Sequence, residues 1–317
     1  MDLRPHRRHP DQGRTIVPRR SRGGAAMAGK SRARRVTTAD SAPPLLIERR
    51  DDVLWLTFNR PDKHNAQNAA MLEVLRDVLR DAAQDRELRA LVIRGAGRSF
   101  TAGHDLREMV VNEDYAAAIE TAEGRRQWEL RLFVEPVQLL QDLPVPTICQ
   151  VQGNCLAAGL MFAAATDLVV AADDAIFGSP IISAMALNDA EVPHFAWRLG
   201  ERRAKQALWL DERLTAEQAE RIGFVNWVVP VDELDAKVQS VVDRLVTIPR
   251  ETLELSKASF TFMEERRGRR DFAAYHFASH SFSHQTHVAR EVAKSRVETV
   301  RSGASPVQGS QRGPGIT

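Results

Sequence analysis

Cysteine is scarce in this sequence of 317 residues, which contains only Cys149 and Cys155. Neither belongs to a CxxC pair, so the sequence offers no disulfide framework and no thiolate metal site. No apolar run reaches the roughly 18 to 20 residues that a membrane-spanning helix needs, and no secretory signal is recognisable. We therefore expect a soluble, cytoplasmic protein that does not insert into a membrane.

Charge is unevenly distributed along the chain. Residues 1–36 contain eleven Arg or Lys and two Asp, a net charge of +9, and because the whole chain has +2 the rest carries −7. The basic segment contains three prolines and cannot bury enough apolar surface to fold alone. We expect residues 1–44 to form a basic disordered arm. Organelle targeting is a less favoured interpretation of this segment, and nucleic-acid binding is the least favoured.

The central part of the chain alternates strand and helix patterns. Apolar alternation at 45–58 predicts a two-stranded hairpin, and apolar residues at helical spacing over 68–84 predict an amphipathic helix. Short buried strands are predicted at 91–93, 147–151, 167–172, 175–177 and 224–229, and a helix at 157–165. This order predicts an α/β fold with right-handed crossovers.

Helical patterns dominate two other stretches of the chain. One long helix is predicted over 115–140, and helices dominate from Glu201 onward, with the last predicted over 271–301. Residues 302–317 are rich in Gly, Ser and Pro, which predicts a disordered tail.

Two loop-to-helix junctions, at 99–106 and 153–159, follow predicted buried strands and contain many small residues. Amides at a helix start, reinforced by the helix dipole, can hold a developing oxyanion, and two converging amides form an oxyanion hole. For either junction alone, a tight turn that requires small residues is the simpler explanation. Their combined order and spacing favour the oxyanion hole.

Several segments resemble the crotonase (enoyl-CoA hydratase/isomerase) superfamily in order and spacing. The main ones are NRPDKHNA at 59–66, GRSFTAGHDL at 97–106 and PVPTICQVQGNCLAAG at 144–159. Weaker matches extend the resemblance across roughly residues 45–260. Any one string is weak, and the set is specific.

The resemblance implies an α/β protein with a crotonase-like ββα spiral core over 45–248 and a C-terminal helical trimerisation region over 249–301. It implies that the backbone amides of His104 and Ala158 bind a thioester oxygen and stabilise an enolate. A homotrimer or hexamer acting on acyl-CoA is expected, with no cofactor beyond the CoA of the substrate. The residues implied to line the CoA and acyl site are Lys63, Asn65, Ala66, Ala102, Asp105, Leu106, Met161 and Ile181.

Both glutamates of a standard hydratase are missing from this sequence. Met161 stands at the first position, and Ile181, after the Phe-Gly-x-Pro string at 177–180, stands at the second. Hydration requires a water held between an acid and a base, and neither side chain can move a proton. The proton-transfer groups are therefore expected elsewhere or supplied by the substrate.

The loop at 186–194 contains titratable residues where the family has a glycine-rich loop. Superfamily isomerases and aryl-CoA dehalogenases place a catalytic Asp in about this part of the chain. Asp189 is thus a candidate base or nucleophile, ahead of Glu191, with His194 a secondary candidate. A carboxylate beside Met161 and Ile181 would have a raised pKa through desolvation. The alternative interpretation is a polar surface loop.

Histidines raise two further questions. His104 stands where the family usually has Ala, in a Gly-His-Asp string similar to methylmalonyl-CoA decarboxylases, but the tyrosine used by those enzymes has no counterpart. Packing of the imidazole is favoured over orienting a substrate carboxylate. Four other histidines have spacing that predicts one helical face, and adjacent pairs could bind zinc. We favour a polar or subunit-contacting helical face without a metal over a zinc site for these residues, which are His276, His280, His284 and His287.

Three functions are compatible with these observations. The first is an acyl-CoA lyase or isomerase that resembles enoyl-CoA hydratase. The second is a specialised decarboxylase, isomerase or hydrolase that uses the Asp189 loop. The third is a catalytically silent CoA-binding or RNA-binding protein. The missing glutamates favour a silent protein, whereas the intact oxyanion junctions count against it.

Overall fold

A computed structural model describes residues 42–303 of the chain. The predicted arm over 1–44 and tail over 302–317 lie almost entirely outside the described residues. The strands are β1 (Leu45–Arg50), β2 (Val53–Phe58), β3 (Ala90–Gly95), β4 (Thr147–Val151), β5 (Asn154–Leu156), β6 (Leu168–Ala172), β7 (Ile176–Gly178), β8 (Leu214–Thr215) and β9 (Trp227–Val229).

The helices fall into three groups along the chain. The first is α1 (Ala69–Gln84), α2 (Leu106–Val111), α3 (Glu113–Ala118), α4 (Ala122–Glu129) and α5 (Glu135–Gln141), with a π-helical turn at Leu130–Val134. The second is α6 (Ala158–Ala165), α7 (Ile181–Met185), α8 (His194–Leu199), α9 (Glu201–Trp209), α10 (Ala216–Arg221) and α11 (Leu234–Val246). The third is α12 (Arg250–Arg266), α13 (Arg269–Ser283) and α14 (His287–Arg301).

Six strands form the main sheet, in the order β1-β2-β3-β4-β6-β9. The β1–β2 hairpin is antiparallel, and the other neighbours are parallel, so helices must cross over between them. A second, small sheet has the order β5-β7-β8. The predicted α/β architecture is confirmed.

Helices cover both faces of the main sheet, because its strands alternate between two hydrophobic clusters. On β2, Leu54 and Leu56 face the cluster that contains α1, whereas Val53 and Trp55 face α11. Side chains of a strand point to opposite faces in turn, and a parallel sheet is stable when both faces are buried. The site is built on the α1 side of this sheet.

The structure corrects the predicted helices in two places. The stretch predicted as one helix over 115–140 is divided into α3, α4, the π-helical turn and α5. The helix predicted over 271–301 ends at Ser283, and Thr286 caps a new helix that begins at His287. His287 therefore does not share a helical face with His276 and His280 of α13, or with His284, which caps that helix. The two helix breaks position residues of the site described below.

The strand predicted over 224–229 covers only Trp227–Val229, because Phe224 and Val225 are buried in the main core instead of pairing in the sheet. The short strands β5 and β8 were not predicted.

The C-terminal helices have two different relations to the core. None of the residues of α12 is buried, whereas α13 packs against α4, and α14 packs against α2 and α7. In the described part of the chain, no helix combines the length and apolar character needed to cross a membrane. The turn of α13 back onto the core brings its side chains to the loop at 186–194.

Candidate active site

The two predicted junctions lie side by side in the structure. The amide of Thr101 donates to the carbonyl of Asn154 at 3.0 Å, and the amide of Leu156 donates to the carbonyl of Thr101 at 3.0 Å. A Cβ atom placed on Gly103 would lie 3.2 Å from the Ala158 nitrogen. The small residues of these segments therefore allow the two backbones to approach each other closely.

The local pairing leaves the amides of His104 and Ala158 without the usual partners. The backbone carbonyl of Gln67 accepts from the Asp105 amide at 2.9 Å, and the Gln67 amide donates to the Gly103 carbonyl at 2.8 Å. This is the pattern of a parallel bridge between Gln67 and His104. In this pattern the N–H of the central residue points away from its partner strand. Ala158 is the first residue of α6, where an N–H has no acceptor within the helix.

Backbone strain occurs directly before the second of these amides. Ala157 has φ 49° and ψ −114°, a left-handed conformation that disfavours any residue with a side chain. Its own amide donates to the carbonyl of Gly178 at 2.9 Å, which holds the turn in place. Such strain costs on the order of 1–3 kcal/mol and is concentrated at functional sites.

The segments predicted to line the CoA site are joined by a buried asparagine. The side chain of Asn65 accepts from the Arg60 amide at 2.9 Å and donates to the carbonyls of Ala96 and Ser99. The amide of Ala102 donates to the carbonyl of His64 at 2.9 Å, so the segment around Asn65 and the segment around Ala102 lie next to each other. Asn65 uses its hydrogen-bonding groups within the protein, and it fixes the position of exposed Lys63 and half-buried Ala66.

Asp105 is also committed to contacts within the protein. One carboxylate oxygen caps α2 by accepting from the Glu108 amide at 3.0 Å. The other lies 2.8 Å from the guanidinium of Arg60, in an ion pair that is largely buried. Leu106, the next residue, lines a cleft of about 870 Å³ including its open mouth. The cleft extends from the first junction toward the C-terminal helices.

The loop at 186–194 is buried, which contradicts the alternative interpretation of a surface loop. Asp189 is 3% exposed and Glu191 is 8% exposed. The amide of Val192 donates to the sulfur of Met161 at 3.3 Å, so the loop covers the first missing glutamate position. The carboxylates of the loop are therefore buried in the segment that packs on Met161.

Asp189 has an unusual conformation and a perturbed carboxyl group. Its φ is 110°, which is disfavoured for a residue with a side chain, and its carboxylate accepts from the Ser179 hydroxyl at 2.6 Å. Burial raises the pKa of Asp189 to about 6, against the opposing effect of the Ser179 hydrogen bond. Ser179 is two residues before Ile181, so this carboxyl group neighbours the second missing glutamate position.

Glu191 lies between two imidazoles. Its carboxylate oxygens are 3.6 Å from Nε2 of His104 and 3.7 Å from Nε2 of His280. Burial alone would raise the pKa of Glu191, but the two imidazoles outweigh it and lower the pKa to about 2. The His104 ring stacks on Phe133 with 3.8 Å between ring centres, as the predicted packing role requires.

His194, the secondary candidate, is a buried residue at the start of α8. Burial, followed by the charges of Arg269 and Arg198, lowers the pKa of His194 to about 3. The imidazole is therefore neutral at physiological pH, and it faces cationic groups.

Glu129 is a site residue that the sequence analysis missed. It is 1% exposed, and its carboxylate oxygens lie 3.4 Å from Nε2 of His284 and 4.0 Å from Nε2 of His280. Glu129 ends α4 directly before the π-helical turn, and such turns are frequent at functional sites. We call the group of Glu129, Glu191, His280 and His284 the acid–histidine cluster.

The family model described as "Enoyl-CoA hydratase/isomerase" matches residues 48–301. The 2,3-dehydroadipyl-CoA hydratase of Escherichia coli is 35% identical over 189 residues, 59% of this chain and 70% of the relative. The mouse protein named enoyl-CoA hydratase domain-containing protein 3, mitochondrial, is 27% identical and covers 70% of this chain and 72% of its own.

A solved structure gives a similar result. An enoyl-CoA hydratase/isomerase of Xanthobacter autotrophicus Py2 superposes with a TM-score of 0.75 and 27% identity. The match covers 83% of this chain and 94% of that one. The similarity thus includes the core and most of the C-terminal helices.

Proposed function

Since the chain belongs to the enoyl-CoA hydratase/isomerase family, we propose that it is an enzyme that binds an acyl-CoA thioester and stabilises its enolate. The thioester oxygen would accept from the amides of His104 and Ala158. The close approach of Gly103 to the Ala158 nitrogen supports this assignment. Two fixed N–H groups in a site without bulk water stabilise developing negative charge more strongly than water does.

The buried position of the Asp189 loop is the observation that carries this proposal beyond the family. Met161 lies beneath the amide of Val192, the carboxylate of Asp189 accepts from Ser179, and the carboxylate of Glu191 lies beside His104. We assign proton transfer at the acyl group to these two carboxylates. Glu191 acts next to His104, and Asp189 acts next to Ser179.

The CoA moiety is assigned to the edge formed by the segments around Lys63, Asn65, Ala66 and Ala102, and the acyl group to the cleft that begins at Leu106. Met185 and Leu187 contribute apolar surface to the same cleft. Met161 and Ile181 contribute apolar surface near the reacting carbons. No group other than the CoA of the substrate is required for the enolate step.

Substitution of the two loop carboxylates tests the proposal. Full-length protein is assayed against a panel of straight-chain, carboxylated and cyclic acyl-CoA thioesters, as wild type, Asp189→Asn and Glu191→Gln. We expect at least one of the two variants to lose on the order of 10²–10⁴-fold in kcat. The exposed Glu233→Gln variant is the matched control and keeps full turnover. Full turnover of every accepted thioester by both variants would refute the assignment.

A specialised isomerase, decarboxylase or hydrolase is the second candidate. No carboxylate extends from α6 or from position 181 to hold a water, which disfavours simple hydration. Product analysis separates the candidates, because water addition to crotonyl-CoA indicates a hydratase, whereas a double-bond shift or loss of CO₂ indicates the specialised reaction. A folded protein that binds acyl-CoA and turns over none of the panel would indicate a silent subunit.

We also propose that the C-terminal region mediates assembly into a homotrimer or hexamer. Large hydrophobic side chains on α12 and α13 are exposed in the single chain: Leu255, Phe260, Phe262, Tyr275 and Phe282. An exposed apolar surface of this kind is typical of a subunit interface. Light scattering after size exclusion should give three or six chains per particle, and a monodisperse monomer would contradict the proposal.

A cytoplasmic location stays a prediction, since the mouse relative has "mitochondrial" in its name. Localisation of fluorescent fusions with and without residues 1–44 tests it. The same deletion tests the alternative of RNA binding, for which salt-sensitive binding that is lost with the arm is the supporting result.

A further inference from the structure

Glu129, His280 and His284 have the composition and spacing of a transition-metal site. His280 and His284 are one turn apart at the C-terminal end of α13, so their rings project from the same face. Their Nε2 atoms are 3.1 Å apart, and Nε2 of His284 is 3.4 Å from a Glu129 oxygen. Ligand atoms placed 2.0–2.2 Å from a tetrahedral zinc are separated by roughly 3.3–3.6 Å.

The tautomer of His280 is fixed by the Asp189 loop. Nδ1 of His280 is 2.7 Å from the carbonyl oxygen of Asp189. Because a carbonyl oxygen can only accept, Nδ1 donates a proton to it, so Nε2 is the nitrogen that offers a lone pair when the ring is neutral. That nitrogen faces His284, Glu129 and Glu191. Metal-binding histidines are commonly held by a hydrogen bond of this type from the second ring nitrogen.

The carboxylate of Glu129 lacks adequate partners within the protein. One of its oxygens, Oε2, has no hydrogen-bond partner among the described residues, although the residue is 1% exposed. The other lies 3.6 Å from the guanidinium of Arg125, which donates to the Tyr115 hydroxyl at 3.1 Å. A buried carboxylate requires a hydrogen-bond donor or a cation. The unpartnered oxygen lies on the side of His280.

We propose that Glu129, His280 and His284 bind one zinc ion. Two imidazoles and a carboxylate suit zinc, whereas Ca²⁺ and Mg²⁺ prefer oxygen ligands throughout. Three protein ligands leave a fourth position for water or for the Glu191 carboxylate, which is 3.7 Å from Nε2 of His280. His284 lines the acyl cleft, which gives the ion a route of entry from solvent. This inference does not depend on the proposed acyl-CoA activity.

Metal analysis of the full-length protein tests this site. The protein is purified without a polyhistidine tag, stripped with a chelator, loaded with zinc sulfate and dialysed. We expect about one zinc per chain in the wild type and a Tm that rises on loading, because a ligand that binds only the folded state stabilises it. Cobalt loading should give the intense visible absorption of a four-coordinate site with nitrogen and oxygen ligands.

The variants identify the ligands. Glu129→Gln and His284→Gln should each lower zinc affinity by at least about 100-fold, because two ligands remain where three are required. His287→Gln is the matched control, since this exposed histidine is part of the same sequence pattern but begins a different helix. It should bind zinc as the wild type does.

Three results would overturn the inference. The first is a folded wild type without stoichiometric zinc, in which case a proton on Glu129 supplies the missing positive charge. The second is zinc binding that survives both substitutions, and the third is zinc binding lost with His287→Gln. If a ligand variant fails to fold, the cobalt spectrum of the wild type decides, because absorption typical of six coordinated waters contradicts a buried four-coordinate site.

Discussion

The two junctions and the acid–histidine cluster are neighbouring parts of one site that are built in opposite ways. The junctions use backbone amides and small residues, and each lies within one continuous segment. The cluster uses long polar side chains from α4, the loop at 186–194 and α13. The side chains of the cluster come together only because the C-terminal helices turn back onto the core. In the proposed reaction the junctions would bind the thioester oxygen, and the cluster lies beside them because Glu191 is 3.6 Å from His104.

The largest effect should come from narrowing the space between the junctions. Gly103→Ala would place a Cβ 3.0 Å from the Ala157 side chain and 3.2 Å from the Ala158 nitrogen, at φ 94°. We expect kcat/KM on any accepted thioester to fall by about 10²-fold or more, as loss of one oxyanion donor does. Gly200→Ala is the matched control, because φ is 76° there and no atom lies within 4 Å. Equal activity of the two variants would contradict the proposed role of the junction.

A smaller loss of stability is expected from the ion pair that supports the first junction. Asp105→Asn keeps a cap for α2 but leaves the largely buried guanidinium of Arg60 with only the more distant carboxylate of Glu108, at 3.8 Å. The free energy of unfolding should fall by about 2–3 kcal/mol in urea titrations. Asp77→Asn, which removes an exposed pair with Arg76, should cost less than about 1 kcal/mol. A loss for Asp105→Asn no larger than for Asp77→Asn would show that the buried pair does not support the junction.

The buried histidine at the end of the loop at 186–194 should make the stability of the fold sensitive to acid. His194 has a pKa of about 3 in the folded chain and about 6.5 when unfolded, so the unfolded state binds the proton first. Its contribution is therefore fully present above pH 6.5 and is lost as the pH falls toward 3. Between pH 7.5 and pH 5 this amounts to about 2 kcal/mol.

Chemical unfolding at several pH values checks this expectation. His194→Leu should reduce the decrease in stability between pH 7.5 and pH 5, whereas the exposed His287→Gln should leave it as in the wild type. An unchanged pH dependence in His194→Leu would show that His194 is not the group responsible.

The smallest effect concerns the strained residue before α6. Ala157→Gly should raise the free energy of unfolding by about 1 kcal/mol, because glycine adopts positive φ without strain. The same substitution at Ala163, in the interior of α6, should lower it by about 1 kcal/mol. A destabilising Ala157→Gly would mean that the conformation at 157 is not strained.

The sequence was sufficient for the parts of the site that are encoded locally. The hairpin and most of the buried strands follow from short patterns and are confirmed, and the two predicted junctions lie side by side in the structure. Burial of Asp189 was expected from its apolar neighbours, although a surface loop was left open. Short-range patterns have this power because turns and strand faces depend on adjacent residues.

The missed features depend on contacts between distant segments. Glu129 stands in a polar stretch and becomes buried only because α13 packs against α4. The helix break at Thr286, which removes His287 from the histidine face, offered only a Thr as a capping signal. Periodicity predicts four histidines on one face, whereas in the structure only His280 and His284 face the carboxylates of Glu129 and Glu191.

A crystal structure with a bound, slowly reacting acyl-CoA analogue tests the central claim most directly. We expect the thioester oxygen to lie about 3 Å from both the His104 and Ala158 nitrogens. We also expect the acyl α or β carbon to lie within reach of a carboxylate oxygen of Asp189 or Glu191. A thioester oxygen bound away from either nitrogen, or acyl carbons that meet only Met161 and Ile181, would contradict it.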